Sequence, residues 1–225
     1  MKRKKVQLPA PAYLCSDALG QQLVYRQRSI HEIHEGPLGS ATDLQSSPKV
    51  QAALYSAQKT LDEALLSAVQ NKCIPQMIAR IIAQGANINA LCGGLSPIVA
   101  AILNRDVETV TFLLTRGANP VIPDEYGNTP LHVIATHLTP KTLKMAHILL
   151  IAGAQVDAQN DLGQTPLHLH GKAGSLYIQF AHILIKAGAR LDLIDIKGNE
   201  PFTRLPEKQR QELMRFALFA LFDRE

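Results

Sequence analysis

The residue types that metal and catalytic sites use occur in two histidine-containing segments. In HEIHE, residues 31–35, the histidines lie three apart and a glutamate takes the fourth place. A zinc-protease helix needs histidines four apart, so this segment is interpreted as a solvated charged stretch. His168 and His170 are two apart and do not share a helix face, and no cysteine or carboxylate completes a ligand set. We predict neither a metal site nor a cofactor.

The cysteines, Cys15, Cys73 and Cys92, are odd in number and lack CxxC spacing. They support neither a disulfide framework nor a thiolate zinc site, and they favour a reducing compartment, so we expect a cytoplasmic protein. The sequence also shows no phosphate-binding glycine loop and no grouped nucleophile, base and orienting residue. We predict that the protein is not an enzyme; an activity within residues 1–55 is the alternative.

The formal net charge of +4 is concentrated in Lys2–Lys5. Such a basic start can bind an import receptor, so a nuclear location is the alternative to a cytoplasmic one. Nucleic-acid binding is not expected, because the remaining chain is nearly neutral. No apolar run approaches the roughly 18 residues of a membrane span. Prolines and polar residues interrupt residues 6–20, so we expect no cleaved signal peptide.

Two hexapeptides, GNTPLH at 127–132 and GQTPLH at 163–168, differ in one residue. They belong to a recurrence of prolines at steps of 33, 36 and 35 residues, namely Pro97, Pro130, Pro166 and Pro201. Glycines followed by alanine recur in step with them, at Gly85, Gly117, Gly153 and Gly188. Each of these glycines precedes the next proline by 12 or 13 residues, so this half of the unit has a fixed length. The period predicts a solenoid of stacked units.

The two halves of each unit carry the signals of a helix start and a helix end. Thr129 and Thr165 are expected to cap helices, with Pro130 and Pro166 at the first helical position, where a missing N–H costs nothing. In the second half, two adjacent apolar residues lie in the last turn of a second helix. A glycine follows, whose left-handed backbone ends that helix. The predicted ends are Gly117, Gly153 and Gly188.

The combination of GxTPLH and LLxxGA at this period resembles the ankyrin repeat over about residues 60–205. The resemblance implies an all-α fold, an ankyrin-repeat solenoid of about five helix-turn-helix units with extended β-hairpin-like fingers. The ankyrin-repeat domain is expected at 56–225, with units at about 60–92, 93–125, 126–161, 162–196 and a cap at 197–225. Residues 1–55 form an N-terminal extension, expected to be partly disordered or packed on the solenoid. The resemblance also implies that the imidazoles of His132 and His168 tie backbone groups between adjacent fingers.

Three departures from the repeat pattern lie between residues 137 and 225. Thr139 and Pro140 repeat the start signal, so the extra residues of the third unit are expected to lengthen the turn between its helices. In the fourth unit Ser175 is the candidate cap, and His170 and Gly171 predict a shortened first helix. These insertions are read either as tolerated surface changes or as a partner-binding edge.

The C-terminal helix, predicted at 209–222, has apolar residues around most of its circumference. A capping helix needs only one apolar face, so part of this surface is expected to meet something else. The alternatives are the N-terminal extension folding back, a second copy of the chain, or a partner protein.

The resemblance implies a non-catalytic protein–protein interaction module, with a protein partner and no small-molecule substrate. Its variable contact positions fall at Glu125, Tyr126, Asn128, Asp161, Leu162, Gln164, Ile196, Lys197 and Asn199. Along the inner helix faces we add Val133, Thr136, His137 and Leu169. Tyr126 is the best anchor candidate because it has an apolar ring and a polar tip. For Leu162 and Ile196, packing between fingers is the alternative.

A further alternative concerns biological role. Short ankyrin proteins with unusual tails resemble effectors that intracellular bacteria deliver into host cells, where such a protein sequesters or scaffolds a host protein. The ending FALFDRE, residues 219–225, is compatible with an export signal. In that case the expected location is the host cytoplasm.

Overall fold

The computed structural model describes residues 48–169 and 174–222. The chain divides into two compact units, residues 1–57 and 58–225, and the described part of the first is helical. HEIHE, Cys15, Lys2–Lys5, His170 and Gly171 lie outside the described residues. The described part is all-α, with α-helices and one 3-10 turn. They are α1 (Pro48–Gln70), α2 (Pro75–Ala83), α3 (Pro97–Leu103), α4 (Val107–Thr115), α5 (Pro130–Thr136), α6 (Pro140–Ile151), the 3-10 turn Pro166–His168, α7 (Ser175–Lys186) and α8 (Glu207–Phe222).

The helices stack as consecutive pairs along the chain. Within units, α3 packs on α4 and α5 packs on α6. Between units, α3 packs on α5, α4 on α6, α5 on the 3-10 turn and α6 on α7, while α8 covers α7. The predicted helix-turn-helix solenoid is therefore confirmed. None of the helices in the described ranges is long and apolar enough to cross a membrane.

One continuous apolar core runs through the stack. Fully buried side chains recur at equivalent places in successive units, and each stabilises the fold by about 1.5–3 kcal/mol relative to an exposed position. They include Leu65, Ile78, Ile98, Leu113, Leu131, Ile134, Leu149, Leu167, Phe180 and Leu184. Each unit buries its apolar face only against its neighbours, so a single unit is not expected to fold without the rest of the stack.

The extra residues of the third unit lengthen a helix, and the prediction of a longer turn was wrong. Three residues, 104–106, connect α3 to α4, and three residues, 137–139, connect α5 to α6. Helix α4 has 9 residues, whereas α6 has 12. The capping box at Thr139 and Thr142 begins the helix at the usual distance. The residues that follow contain no glycine or proline, so the helix continues for an extra turn.

The fourth unit has a much reduced first helix, as predicted. It ends after the single 3-10 turn, because Leu169 already has an extended backbone with φ −87° and ψ 93°. Ser175, expected as the cap of the second helix, is instead its first residue, and Gly174 is the N-cap with φ +45°. That left-handed backbone suits glycine, which has no Cβ.

The two terminal helices begin earlier than the sequence indicated. Helix α1 begins at Pro48, so it crosses the expected boundary between residues 55 and 56. Helix α8 begins at Glu207, two residues before the predicted start. At the first place the sequence has Ser47 before Pro48, the same cap-and-proline signal as Ser96 and Pro97, and this signal was missed. At the second place the difference of two residues is within the usual uncertainty of a helix end.

Candidate protein-interaction surface

Each of the last three fingers is held by an acidic or amide side chain at the start of its tip turn. We number the fingers one to four, at residues 85–96, 117–129, 153–165 and 188–200. In finger two, Asp124 Oδ1 accepts the backbone N–H groups of Tyr126 and Asn128 at 2.9 and 2.8 Å. Asn160 does the same in finger three at 3.0 and 3.0 Å, and Asp195 in finger four at 2.9 and 2.9 Å. These turns fix the tip backbone whatever side chains the tip carries.

The sequence reasoning missed Asp124, Asn160 and Asp195. Their signal was present, because each lies three residues before the turn glycine of its finger. Asx side chains that bond the backbone two residues ahead are a regular turn device. The hydrogen bonds that the Asn199 backbone and side chain and the Lys197 backbone donate lower the pKa of Asp195 to about 2. This carboxylate is therefore charged at neutral pH.

Adjacent fingers are joined at their tips by backbone hydrogen bonds. The N–H of Asp161 donates to the carbonyl of Tyr126 at 3.1 Å, and the N–H of Ile196 donates to that of Leu162 at 3.0 Å. Gly127, with φ +74°, makes the first contact possible: a Cβ there would lie 2.9 Å from the Asp161 nitrogen. The fingers thus form a continuous backbone ladder.

The two repeat histidines join each helix start to the next finger. His132 is fully buried, and its Nδ1 lies 3.1 Å from the Thr129 nitrogen and 2.9 Å from the Thr129 hydroxyl. A backbone N–H can only donate, so Nδ1 is the acceptor and the ring proton is on Nε2. That Nε2–H donates to the carbonyl of Gln164 in finger three at 2.8 Å.

His168 makes the same set of contacts one unit later. Its Nδ1 lies 3.0 Å from the Thr165 nitrogen, and its Nε2 lies 3.1 Å from the carbonyl of Asn199 in finger four. For His132, burial lowers the pKa, because charging a desolvated ring is unfavourable. These contacts assign the histidines a structural role, with Pro130 and Pro166 buried at the adjoining helix starts.

The glycines that follow the second helices have left-handed backbones. Gly117, Gly153 and Gly188 have φ of +90°, +92° and +99°. Their N–H groups bond carbonyls of the preceding helical turn. Each therefore ends a helix and turns the chain into a finger.

The finger tips expose apolar side chains. Tyr126 is 63% exposed, Leu162 50% and Ile196 67%. We call these three residues the tip row; the ladder bonds link their backbones directly or through Asp161. Packing between fingers, the alternative role of Leu162 and Ile196, is incomplete, because half or more of each side chain faces solvent. Glu125, Asp161 and Lys197 are exposed beside the row.

The remaining predicted contact residues divide by exposure. Thr136 and His137 are exposed at the end of α5, where the Thr136 hydroxyl donates to the Val133 carbonyl at 2.9 Å. Val133 and Leu169 are half-buried against the core. Asn128, Gln164 and Asn199 are half-buried and hold the finger frame; the Asn128 side chain, for example, accepts from Asn160 at 2.9 Å. Their freedom to contact a partner is correspondingly smaller.

The described residues do not assemble a metal site. No three histidine, cysteine, aspartate or glutamate side chains converge within residues 48–169 and 174–222.

Stacked helix pairs joined by fingers, with His132 and His168 bridging two successive units to the following fingers, define a repeat solenoid of the ankyrin type. Residues 65–160 match a family model described as ankyrin repeats in three copies. The matched segment, residues 65–160, is thus similar to ankyrin repeats. Ankyrin repeats are protein-interaction modules and are generally non-catalytic.

Relatives come from an animal, a bacterium and a virus. The chain is 33% identical over 117 residues to the human ankyrin repeat and SOCS box protein 16, which covers 52% of this chain and 25% of that protein. It is 36% identical over 70 residues to a putative ankyrin repeat protein of Rickettsia felis, covering 30% and 31%. It is 37% identical over 68 residues to a monkeypox virus inhibitor of apoptosis, covering 29% and 14%. The matches thus span a third or less of these relatives.

Proposed function

We propose that the protein binds a partner protein through the tips of fingers two to four and the exposed end of the inner helix α5. The observation that carries this proposal is the tip row. Three large apolar side chains are exposed on a backbone that is fixed by Asx turns and ladder bonds. Tyrosine is enriched at interface cores, and exposed apolar groups in a row favour a binding role.

The rigidity of the fingers supports this function. Binding costs the ordering entropy of the groups that become fixed, and a surface already fixed before binding avoids most of that cost. Every finger from two to four has its turn closed by two side-chain hydrogen bonds. Affinity therefore depends on what the tips present.

The contact positions in this proposal are the exposed residues at or near the tips and inner helix. They are Glu125, Tyr126, Asp161, Leu162, Ile196, Lys197, Thr136 and His137. A reducing, cytoplasmic setting for the interaction is supported by the cysteine spacing, because Cys15, Cys73 and Cys92 do not form a disulfide pattern.

Affinity capture with a tip variant tests the proposal. We expect Tyr126→Ala/Leu162→Ala to lose partners that the wild-type chain retains from lysate, because both side chains lie in the tip row. The matched control is Ile151→Ala, which removes an apolar side chain that is 88% exposed at the end of α6. Thermal unfolding of all three proteins checks that the fold is intact.

Retention of every wild-type partner by the tip variant would remove the fingers from the interface. Equal loss with Ile151→Ala would show that capture depends on general surface hydrophobicity instead of on the tips.

A further inference from the structure

Fingers two to four carry a marked excess of acidic residues. They contain seven carboxylates, Asp124, Glu125, Asp157, Asp161, Asp192, Asp195 and Glu200, against two cations, Arg190 and Lys197. Arg190 is already bound to Asp192, with nitrogen–oxygen distances of 3.0 and 2.7 Å. Fingers two and three have no basic residue at all. The tip row is therefore bordered by two exposed carboxylates, Glu125 and Asp161, beside Tyr126 and Leu162, and by one exposed cation, Lys197, beside Ile196.

The acidic residues of these fingers have two distinct roles. Asp124 and Asp195 close the turns of their own fingers, and Asp157 accepts the backbone N–H of Arg190 at 2.9 Å. Glu125 and Asp161 are exposed next to Tyr126 and Leu162. Neither makes an ion pair within the described residues. Their charges are thus available to a partner.

We propose that the tip row binds a protein segment in which apolar side chains are accompanied by lysine or arginine. This inference rests on the proposed function and specifies the partner's chemistry. Apolar side chains of the segment contact Tyr126 and Leu162, and its cations lie beside Glu125 and Asp161. An acidic segment of equal hydrophobicity is rejected, because like charges would face each other. Exposed charges are screened over about 8 Å at physiological salt, so the preference falls as salt is added.

Three synthetic fluorescent peptides test the inference by anisotropy with the full chain. They have equal length and the same leucine and tyrosine positions, with the remaining positions filled by lysine, glutamate or serine. We expect the lysine peptide to bind about tenfold more tightly than the glutamate peptide, the order expected of two exposed charge pairs. The difference should shrink as salt is raised.

Two double variants separate local charge from net charge. Glu125→Gln/Asp161→Asn removes the two tip carboxylates and should abolish most of the preference for lysine. Glu108→Gln/Glu212→Gln makes the same change in net charge at exposed positions on α4 and α8 and should leave the preference unchanged. Circular dichroism confirms that both variants fold.

The proposal is overturned if the lysine peptide does not bind, if the glutamate peptide binds equally well, or if both double variants reduce the preference alike. The Tyr126→Ala/Leu162→Ala variant separates failure of this inference from failure of the proposed function. If all three peptides bind equally and Tyr126→Ala/Leu162→Ala weakens them all, the tips bind proteins without regard to charge. If that variant changes neither peptide binding nor lysate capture, both proposals fall.

Discussion

At the scale of single residues, the repeat histidines show how one side chain can hold two units together. His132 bonds the helix start in its own unit through Nδ1 and the next finger through Nε2. Only a neutral imidazole with the proton on Nε2 can accept at Nδ1 and donate at Nε2. The fold therefore depends on the protonation state of this ring.

Acidification should weaken the fold through His132. Its folded-state pKa lies below the ordinary 6.5, so its stabilising effect is complete above 6.5 and is lost as pH falls through the folded-state value. We expect the free energy of unfolding in urea to be lower at about pH 5.5 than at about pH 7.5, with the fall beginning near the ordinary 6.5. In His132→Gln the fall should be smaller, and stability at the higher pH should drop by about 1–3 kcal/mol.

The pH slope is the informative quantity, because other groups titrate in the same range. Equal slopes in wild type and His132→Gln would contradict the proposed protonation state. An imidazole signal for His132 that titrates above 6.5 would contradict it as well.

At the scale of elements, the close approach of fingers two and three depends on a glycine, Gly127. Gly127 and Gly153 both have left-handed backbones, with φ of +74° and +92°. A Cβ at Gly127 would meet the backbone of the next finger, whereas a Cβ at Gly153 would meet nothing within 4 Å. The two glycines therefore separate backbone strain from close packing.

Gly127→Ala should destabilise the fold more than Gly153→Ala. Both variants carry the strain of a left-handed alanine, of the order of 1–2 kcal/mol. Only Gly127→Ala also displaces the Asp161 backbone and weakens the ladder bond to Tyr126. Urea unfolding measures both losses, and equal losses would show that the contact between fingers contributes nothing.

The shortened first helix of the fourth unit is held by a tyrosine from the second helix. The Tyr177 hydroxyl donates to the Leu167 carbonyl at 2.7 Å, and both residues are buried. Tyr177→Phe leaves that carbonyl without this donor, at an expected cost of about 1–3 kcal/mol. Tyr126→Phe, which removes the same atom from an exposed ring, should cost close to nothing. Thermal unfolding compares them; similar small shifts would make the bond to Leu167 unimportant.

Most of the helices could be predicted from the sequence, but few of the contacts and exposures at the finger tips could. Threonine–proline and glycine–alanine signals located the helices because caps act locally, within a few residues. The sequence predicted that the extra residues of the third unit lie in the turn before α6, but they lie within α6 itself. A capping signal shows where a helix begins, and it does not show how long the helix is. The tip exposure of Leu162 depends on the neighbouring finger, a contact about 35 residues away in sequence, which local patterns do not encode.

At the scale of the whole molecule, the stack must end in an element that covers its last apolar face. Helix α8 does this with Leu213 and Ala217, both buried, while Leu218 and Phe219 are 59% and 64% exposed. The helix is thus a cap on one side and an open apolar surface on the other. Substitutions on the two faces should therefore change stability by different amounts.

Leu213→Ala should lower stability by about 2–5 kcal/mol, as expected for a large-to-small change in a core. Leu218→Ala should change it by less than about 0.5 kcal/mol. In Leu213→Ala, hydrogen exchange should show the largest loss of amide protection in α7 and α8, because units in a stack are stabilised by their neighbours. Uniform loss of protection along the stack would mean that it unfolds as one cooperative block.

The Asx turns have a consequence for protein engineering. Asp124, Asn160 and Asp195 bond main-chain N–H groups at positions 126, 162 and 197, and every residue except proline supplies such a group. These turn hydrogen bonds therefore form whatever side chains are present at positions 126, 162 and 197, except proline. A library randomised at 126 and 162 should retain the parental melting temperature in most members while its binding specificities diverge, which makes the chain a scaffold for selecting new binders.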